Sequence, residues 1–193
     1  MAPMMMMASQ GLAEIVVGKE SRPLKGARHR SRARHVRNRG ASSQSESGSH
    51  CRGLEQRARG GAGECKKFEV ADGYKTLPGS IFDVDIGTGY DLILIPNFLH
   101  HFDERSNEQL LEKLHRALKR GGKVATLEFV PNEDRVSPAM PATFALIMLA
   151  ETPAGDAYTR SELENMFSRA GFSSHEFHAM PPSPHSVLVS TKE

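Results

Sequence analysis

Two continuous apolar runs, separated by one amphipathic stretch, constrain the fold of this chain more than any other feature. Tyr90–Pro96 (YDLILIP) and residues 123–130 (KVATLEFV) are uninterrupted in the way that is typical of strands buried on both faces of a parallel sheet. A strand, a helix and a second strand within about forty residues form a βαβ unit, whose crossover is almost always right-handed. This order predicts the α/β fold class.

The stretch between the two runs has the pattern of a single amphipathic helix. Asp103 can cap its start, and Lys119 with Arg120 would face the negative end of the helix dipole. We expect Gly121-Gly122 to end the helix. Its apolar stripe consists of Leu110, Leu111, Leu114 and Leu118.

The flanking segments continue the alternation of strands and helices. Upstream, YKTL followed by PGS predicts a short strand and a turn, and Gly87–Gly89 is interpreted as the loop before the strand YDLILIP. Downstream, residues 139–150 predict an apolar helix, and Thr159 with Glu162 forms a capping box for a helix that ends at Gly171. SSHEFHAM and SVLVSTK, joined by a proline-rich turn, predict an antiparallel strand pair at the sheet edge.

The amino-terminal part has a different character from the rest, so that the net charge of +2 averages over unlike segments. Ten arginines lie between Arg22 and Arg59, with scarcely an aliphatic residue among them. We therefore divide the chain into a helical lead-in (1–18), an arginine-rich segment expected to be disordered (19–64) and a part that can bury a core (65–193). The apolar face of the lead-in helix is expected to contain Met4, Met7, Leu12, Ile15 and Val16.

The sequence carries no pattern for export or membrane insertion. No stretch approaches the roughly 18 consecutive apolar residues of a membrane span, and the amino terminus lacks the charged-then-apolar order of a secretory signal. We therefore expect a cytoplasmic protein. Cys51 and Cys65 form no C-x-x-C pair, so we expect two free thiols and assign no residue to a metal.

Three segments in order resemble one enzyme family. YDLILIPNFLHHFD, then ALKRGGKVATLEFVP, then ALIMLAETPAGDAYTRSELENMFSRAGF are similar to the small-molecule O-methyltransferases of the acetylserotonin and plant phenolic type. The resemblance covers the 128 residues from Lys66 onward. It implies a Rossmann-like methyltransferase sheet, incomplete here and ending in an antiparallel strand pair, with S-adenosylmethionine as cofactor at the carboxyl ends of the strands. The implied activity is methyl transfer to the hydroxyl of a small molecule.

The family's first motif, a strand followed by a glycine-rich turn at the start of a helix, is not found in place. FDVDIGTGYD looks like such a turn, but a strand follows it instead of a helix. Residues 25–40 (KGARHRSRARHVRNRG), read one nucleotide later, permit codons for KVLDIAAGHGMFGIA, which is a strand and glycine loop of this kind. We therefore hypothesise one frameshift near Gly26 and a compensating one near Cys65, and a DNA sequence with an intact frame would remove the idea. GC-rich codons read out of frame also yield arginine without selection for a charged patch.

The resemblance implies a catalytic His–Glu pair. His100 follows the strand YDLILIP where the family places its general base, and Glu128 ends the next strand 28 residues later, as in the family. An imidazole suits proton abstraction near neutral pH, and a carboxylate can hold the tautomer that accepts the proton. Without the resemblance, His100 and His101 would be interpreted as a cap of the following helix, and Glu128 as a strand end that faces water.

The resemblance also implies cofactor contacts, at the turn where the family clamps the adenine and at the end of the strand YDLILIP, where the methionine end passes. The candidate residues are Gly79, Ser80, Ile81, Phe82, Pro96 and Asn97. A plain core role for Ile81 and Phe82 stays open. Phe144, Ile147 and Met148 are candidates for an acceptor pocket, and a core role for them stays open too.

The chain departs from the plant enzymes at two places. Ala157, with Asp156 adjacent, stands where those enzymes have a second acidic residue, which puts a two-carboxylate arrangement in doubt. His101, before Phe102, stands where they have aspartate. The identity of the acceptor therefore does not carry over from the family.

Two functional hypotheses from different classes stay open, an S-adenosylmethionine-dependent O-methyltransferase and a non-catalytic, truncated or frame-disrupted remnant of one. A basic-tailed nucleic-acid binder is a third, and salt-dependent binding to arbitrary DNA would be its signature. For the first, we expect a small-molecule hydroxyl acceptor, no nucleic acid and no membrane. We expect a homodimer only with the family's amino-terminal dimerisation domain, which would lie upstream of Met1.

Overall fold

The computed structural model describes residues 11–12, 14–16 and 79–193. The strand expected at YKTL and the segment 19–64, with its expected disorder and its proposed frameshift, lie outside the described residues. The elements follow one another as β1 (Tyr90–Pro96), a 3-10 turn (Leu99–His101), α1 (Glu104–Ala117), β2 (Leu118–Glu128), α2 (Ala139–Glu151), α3 (Arg160–Arg169), β3 (Ser174–Ala179) and β4 (Ser186–Thr191).

The four strands form one mixed sheet in the order β1-β2-β4-β3. β1 and β2 are parallel, and β4 is antiparallel to both β2 and β3. The predicted α/β class and the terminal antiparallel pair are therefore confirmed. Within that pair, β3 is the edge strand. β4 is inserted between β2 and β3, so its residues Val187, Leu188 and Val189 are buried.

Helix α1 starts where the sequence predicts and ends earlier. The Asp103 side chain accepts a hydrogen bond from the backbone N–H of Ser106 at 2.7 Å, which satisfies a free donor of the first turn. The predicted end at Gly121-Gly122 is wrong, because the helix stops at Ala117 and Leu118 already pairs with Tyr90 in the sheet.

The carboxyl end of α1 is capped by a residue from the far end of the chain. Lys192 donates from Nζ to the carbonyls of His115 at 2.8 Å and Leu118 at 2.9 Å. The Lys192 ammonium group thus occupies the negative end of the helix dipole, the position that the sequence predicted for Lys119 and Arg120. Lys119 instead forms an ion pair with Asp91 at 2.7 Å.

Both faces of the sheet are covered by helices. On one face, α1 and α3 pack against the sheet through their apolar stripes, for which Leu110, Leu114 and Phe167 are examples with 1% exposure or less. On the other face, residues 11–12 and 14–16 are helical, and Leu12 and Val16 pack against the sheet. Met4 and Met7 of the expected apolar face lie outside the described residues.

The remaining two helices behave differently. Helix α3 begins with the predicted capping box, in which the Glu162 side chain accepts from the backbone N–H of Thr159 at 2.8 Å. Helix α2 confirms the predicted apolar helix, but only Pro141 and Met148 of it are buried. Among the described residues, no helix is both long and apolar enough to cross a membrane.

Candidate active site

The site is built where β1 and β2 end side by side. The two strands are parallel, and Pro96 at the end of β1 is paired with Leu127 of β2. The chain that leaves β1 therefore passes next to Glu128, the last residue of β2. Asn97 continues the pairing, since its N–H donates to the carbonyl of Leu127 at 2.6 Å, and its left-handed φ of 49° turns the chain out of the strand.

Glu128 organises the turn that follows. One carboxylate oxygen, Oε1, accepts from the backbone N–H groups of Phe98 at 2.7 Å and Leu99 at 2.9 Å. The other, Oε2, lies 2.5 Å from Nδ1 of His100. These N–H groups begin the 3-10 turn, whose N-cap residue supplies no side-chain hydrogen bond of its own. A carboxylate 30 residues away in sequence thus replaces the local cap.

The contact with Glu128 determines which nitrogen of His100 carries the proton. Both side chains are buried, with exposures of 5% for His100 and 3% for Glu128. The Glu128 side chain already accepts two N–H groups and is therefore taken as an ionised carboxylate, which can only accept hydrogen bonds. Nδ1 of the neutral imidazole is therefore the donor in this contact. Nε2 then carries the lone pair, and it makes no hydrogen bond to any residue in the part of the chain that the structure describes.

Neighbouring groups restrict the position of His100. The Phe144 ring meets the imidazole edge-on, with centroids 4.9 Å apart and planes at 89°, and the His101 ring lies 4.2 Å away. Behind the turn, Gly155 packs directly on the backbone. A Cβ atom at Gly155 would lie 2.2 Å from the carbonyl oxygen of His100, so no larger residue fits there without displacing the turn.

Two further residues hold the turn, and no local sequence pattern indicates either of them. Asn107, on α1, donates from Nδ2 to the carbonyls of Leu99 at 3.0 Å and Phe102 at 3.2 Å. The hydroxyl of Tyr158 donates to the same Phe102 carbonyl at 2.5 Å. Burial raises the pKa of Tyr158 far above its usual value, with Asp156 the next largest cause, so the hydroxyl stays a donor. Asparagine in a helix and tyrosine near a cap are too common to identify a site.

The candidate cofactor residues lie in two places. Gly79, Ser80, Ile81 and Phe82 are half-buried and form a tight turn, in which Ser80 Oγ accepts from the N–H of Phe82 at 3.2 Å. Lys113 of α1 donates to the carbonyls of Ile81 at 2.8 Å and Phe82 at 3.0 Å. Ile81 and Phe82 also pack against the core, as their core interpretation predicts.

Rings connect this turn with the other candidate segment, Pro96-Asn97. Phe82 meets Phe102 edge-on with centroids 5.1 Å apart, and Phe102 lies 5.1 Å from Phe98, the residue after Asn97. A series of ring contacts therefore joins the two candidate cofactor segments. Pro96 is half-buried and Asn97 is 2% exposed.

Ala157 occupies the second acidic position of the plant enzymes, so the chain has no carboxylate at that position. Ala157 is fully buried at 0% exposure, and the adjacent Asp156 pairs with Arg135 at 2.8 Å. Arg135 also binds Glu162 at 2.5 Å. Burial acts to raise the pKa of Glu162, but hydrogen bonds from Arg135 and the backbone of Thr159 together outweigh it and lower that pKa. Asp156 thus forms its ion pair with Arg135, in the loop after β2, and not with the imidazole.

The three acceptor-pocket candidates differ in their burial and in their contact with His100. Phe144 is half-buried against His100, as described above. Met148 is buried at 4% exposure, and Ile147 is exposed at 42%. Of the three, Phe144 is the one whose ring contacts the imidazole.

Comparison with known proteins identifies the family of the chain. The sequence matches the family described as the O-methyltransferase domain over residues 62–173. It is 31% identical over 107 residues to the tetracenomycin polyketide synthesis 8-O-methyl transferase TcmO of Streptomyces glaucescens, covering 55% of this chain and 31% of that protein. A crystal structure assigned to an O-methyltransferase of Nostoc punctiforme is 49% identical, with a TM-score of 0.67, and the match covers 68% of this chain and 40% of that one.

A second solved structure is informative about the cofactor. Human N-acetylserotonin methyltransferase in complex with S-adenosylmethionine is 25% identical, with a TM-score of 0.58, over 63% of this chain and 34% of that one. The chain spans about a third of the length of the curated relatives that it matches, 31% and 35% for two of them. Because the family match covers more than half of its residues, the chain belongs to the O-methyltransferase domain family.

Proposed function

We propose that the chain is the carboxy-terminal part of an S-adenosylmethionine-dependent methyltransferase in which His100 is the general base for a small-molecule hydroxyl. The observation that carries the proposal is the buried contact between His100 Nδ1 and Glu128 at 2.5 Å, which leaves the lone pair of Nε2 available. A positioned imidazole of this tautomer can accept a proton near neutral pH.

The chain's own residues would act on the acceptor as follows. Nε2 of His100 takes the hydroxyl proton as the oxygen attacks, and Glu128 stabilises the imidazolium that forms. Glu128, which is itself held by two backbone N–H groups, orients the imidazole through one hydrogen bond at Nδ1. When bound, S-adenosylmethionine supplies an electrophilic methyl group on a sulfonium sulfur. The proton ends on Nε2 and the methyl group on the acceptor oxygen.

The residues present fit one side of such a cofactor. The half-buried apolar side chains of Ile81 and Phe82, next to the hydroxyl of Ser80, suit the face and rim of an adenine. Pro96 and Asn97 lie at the carboxyl end of β1, the edge at which open parallel sheets bind ligands. We therefore propose Gly79, Ser80, Ile81, Phe82, Pro96 and Asn97 as the cofactor contacts within the described residues.

A second candidate function is a remnant that does not catalyse the reaction. The observation in its favour is that the sequence lacks the glycine-rich motif in frame, and that motif supplies the backbone N–H groups for the cofactor. The two functions share the fold and differ in cofactor binding. In neither do we include nucleic acid or a membrane as a partner.

Calorimetric titration with S-adenosylmethionine tests the choice between them. For the chain as written we expect very weak binding, because the turn at Ser80 offers one or two hydrogen bonds worth on the order of 1 kcal/mol each. A micromolar complex requires about 8 kcal/mol. A chain with the reading frame restored between Gly26 and Cys65 should bind more tightly. Micromolar affinity of the unrepaired chain would refute this expectation.

Substitution of the base tests the mechanism. In the frame-restored protein, we expect His100→Ala to lower the methylation rate roughly 10²–10⁴-fold, the usual value of a positioned base, with cofactor affinity nearly unchanged. His115→Ala is the matched control, since His115 packs on Phe172 away from the site and its removal should leave the rate unchanged. An equal loss of cofactor binding in His100→Ala would show that His100 has a structural role instead.

A further inference from the structure

Four aromatic side chains form a continuous series that ends on His100. His185 lies 4.1 Å from Phe129 between ring centroids, and Phe129 stacks on Phe144 at 4.2 Å with planes at 27°. Phe144 in turn meets His100 edge-on at 4.9 Å. We call these four residues the ring series. It leads from the turn between β3 and β4 to the candidate base.

The sheet register produces the first contact of the ring series. Glu128 is paired with Ser186 in the antiparallel ladder of β2 and β4. Phe129 and His185 are each one residue beyond that pair, on opposite strands, so continuing the register places them directly opposite each other. Side chains at such positions are close enough to interact, and aromatic pairs are among the more stabilising ones.

His185 is held firmly at its end of the series. It is 2% exposed, and its Nδ1 lies 3.0 Å from the hydroxyl oxygen of Ser183. The backbone N–H of His185 donates to the same oxygen at 3.3 Å, while the N–H of Ser183 donates to the carbonyl of Met180 at 2.7 Å. The ring is therefore attached to a structured turn between β3 and β4.

We propose that His185 is a positioning residue for His100 and acts through Phe129 and Phe144. This inference rests on the proposed role of His100 as base. Glu128 holds Nδ1, but one hydrogen bond leaves the imidazole able to tilt about that contact. Phe144 packs edge-on against the ring and limits this tilt, and Phe144 keeps its place because it stacks on Phe129. His185 closes the series and prevents Phe129 from turning away.

Imidazole proton exchange in the full chain tests the proposal without requiring catalysis. In a ¹⁵N-labelled sample, correlation spectra of the imidazole rings report which nitrogen of His100 is protonated and how fast its Nδ1 proton exchanges with water. We expect His185→Leu to raise that exchange rate by about 2- to 10-fold, the range that one aromatic contact is worth. His185→Phe keeps an aromatic ring and should restore the rate to the native value.

A histidine elsewhere in the same sheet provides the matched control. His175 on β3 contacts the hydroxyls of Ser168 and Ser190 and is not part of the ring series. We expect His175→Leu to leave the exchange of the His100 proton unchanged. If His185→Leu does not fold, as judged by circular dichroism, Phe129→Leu interrupts the series at the next ring and should have the same effect.

Three results would overturn the proposal. Unchanged exchange in His185→Leu, or in Phe129→Leu where that variant is used, would show that the ring series does not restrain His100. An equal increase in His175→Leu would show a general loss of rigidity in the sheet. A native His100 protonated at Nε2 would refute the His100–Glu128 pair itself, which identifies a failure of the proposed function rather than of the ring series.

Discussion

Replacing Glu128 separates its structural role from its effect on the imidazole. In Glu128→Gln, the amide oxygen can still accept from the backbone N–H groups of Phe98 and Leu99, while the amide NH₂ faces His100. The imidazole must then accept at Nδ1 and carry its proton on Nε2. We therefore expect a folded protein in which His100 has the wrong tautomer for a base.

The two substitutions at Glu128 should differ clearly in stability. Glutamine exchanges charge-assisted hydrogen bonds for neutral ones, at a cost on the order of 1 kcal/mol. Alanine leaves two buried backbone N–H groups and the Nδ1–H of the imidazole without an acceptor, and each buried donor left unsatisfied costs about 1–3 kcal/mol. The difference should exceed the effect of removing an exposed carboxylate such as Glu112, whose pair with Arg116 spans 3.6 Å on the surface.

Urea denaturation followed by far-ultraviolet circular dichroism measures these differences, since the chain contains no tryptophan for fluorescence. We expect the unfolding free energy to decrease in the order native, Glu128→Gln, Glu128→Ala, with Glu112→Ala close to the native value. Equal stabilities of the glutamine and alanine variants would mean that Glu128 does not cap the turn. The reasoning about the tautomer would then fail as well.

Two further predictions concern other parts of the described structure. Gly155→Ala should displace the turn that carries His100, because the added Cβ would lie 2.2 Å from the His100 carbonyl. In the frame-restored protein we therefore expect the methylation rate to fall. An unchanged rate would contradict the close packing of Gly155 on this turn. Burial lowers the pKa of His175, against the opposing charge of Glu164, so the unfolded chain binds more protons below the ordinary histidine pKa. The free energy of unfolding therefore carries no cost from His175 above about pH 6.5 and declines as the pH falls below it. We expect His175→Asn to flatten that decline in denaturation measured at a series of pH values.

Local signals in the sequence were sufficient for several elements. β1 has the bounds Tyr90–Pro96 that its apolar run predicts. A continuous apolar run without turn residues is typical of a single strand that is buried on both faces. The capping box at Thr159 likewise places the start of α3, since both of its hydrogen bonds lie within four residues. The proximity of His100 and Glu128 also follows from sequence, because parallel neighbouring strands end at the same edge.

Other features depend on residues that are distant in the chain. α1 ends at Ala117 because Leu118 pairs with β1 and Lys192 binds the last carbonyls, and neither contact leaves a local pattern. The insertion of β4 beside β2 is a matter of long-range pairing, as is the ring contact between Phe129 and His185.

The sequence by itself thus determined the type and order of most of the described elements, and its family resemblance singled out His100 and Glu128 as a candidate pair. Only the tertiary structure decided how that pair is held: that Glu128 caps the turn of His100, that Gly155 packs behind it, and that Phe144 lies against the imidazole. The physical reason is the range of the interactions. Backbone hydrogen bonds and apolar periodicity act between near neighbours, whereas packing joins side chains that the sequence separates by tens of residues.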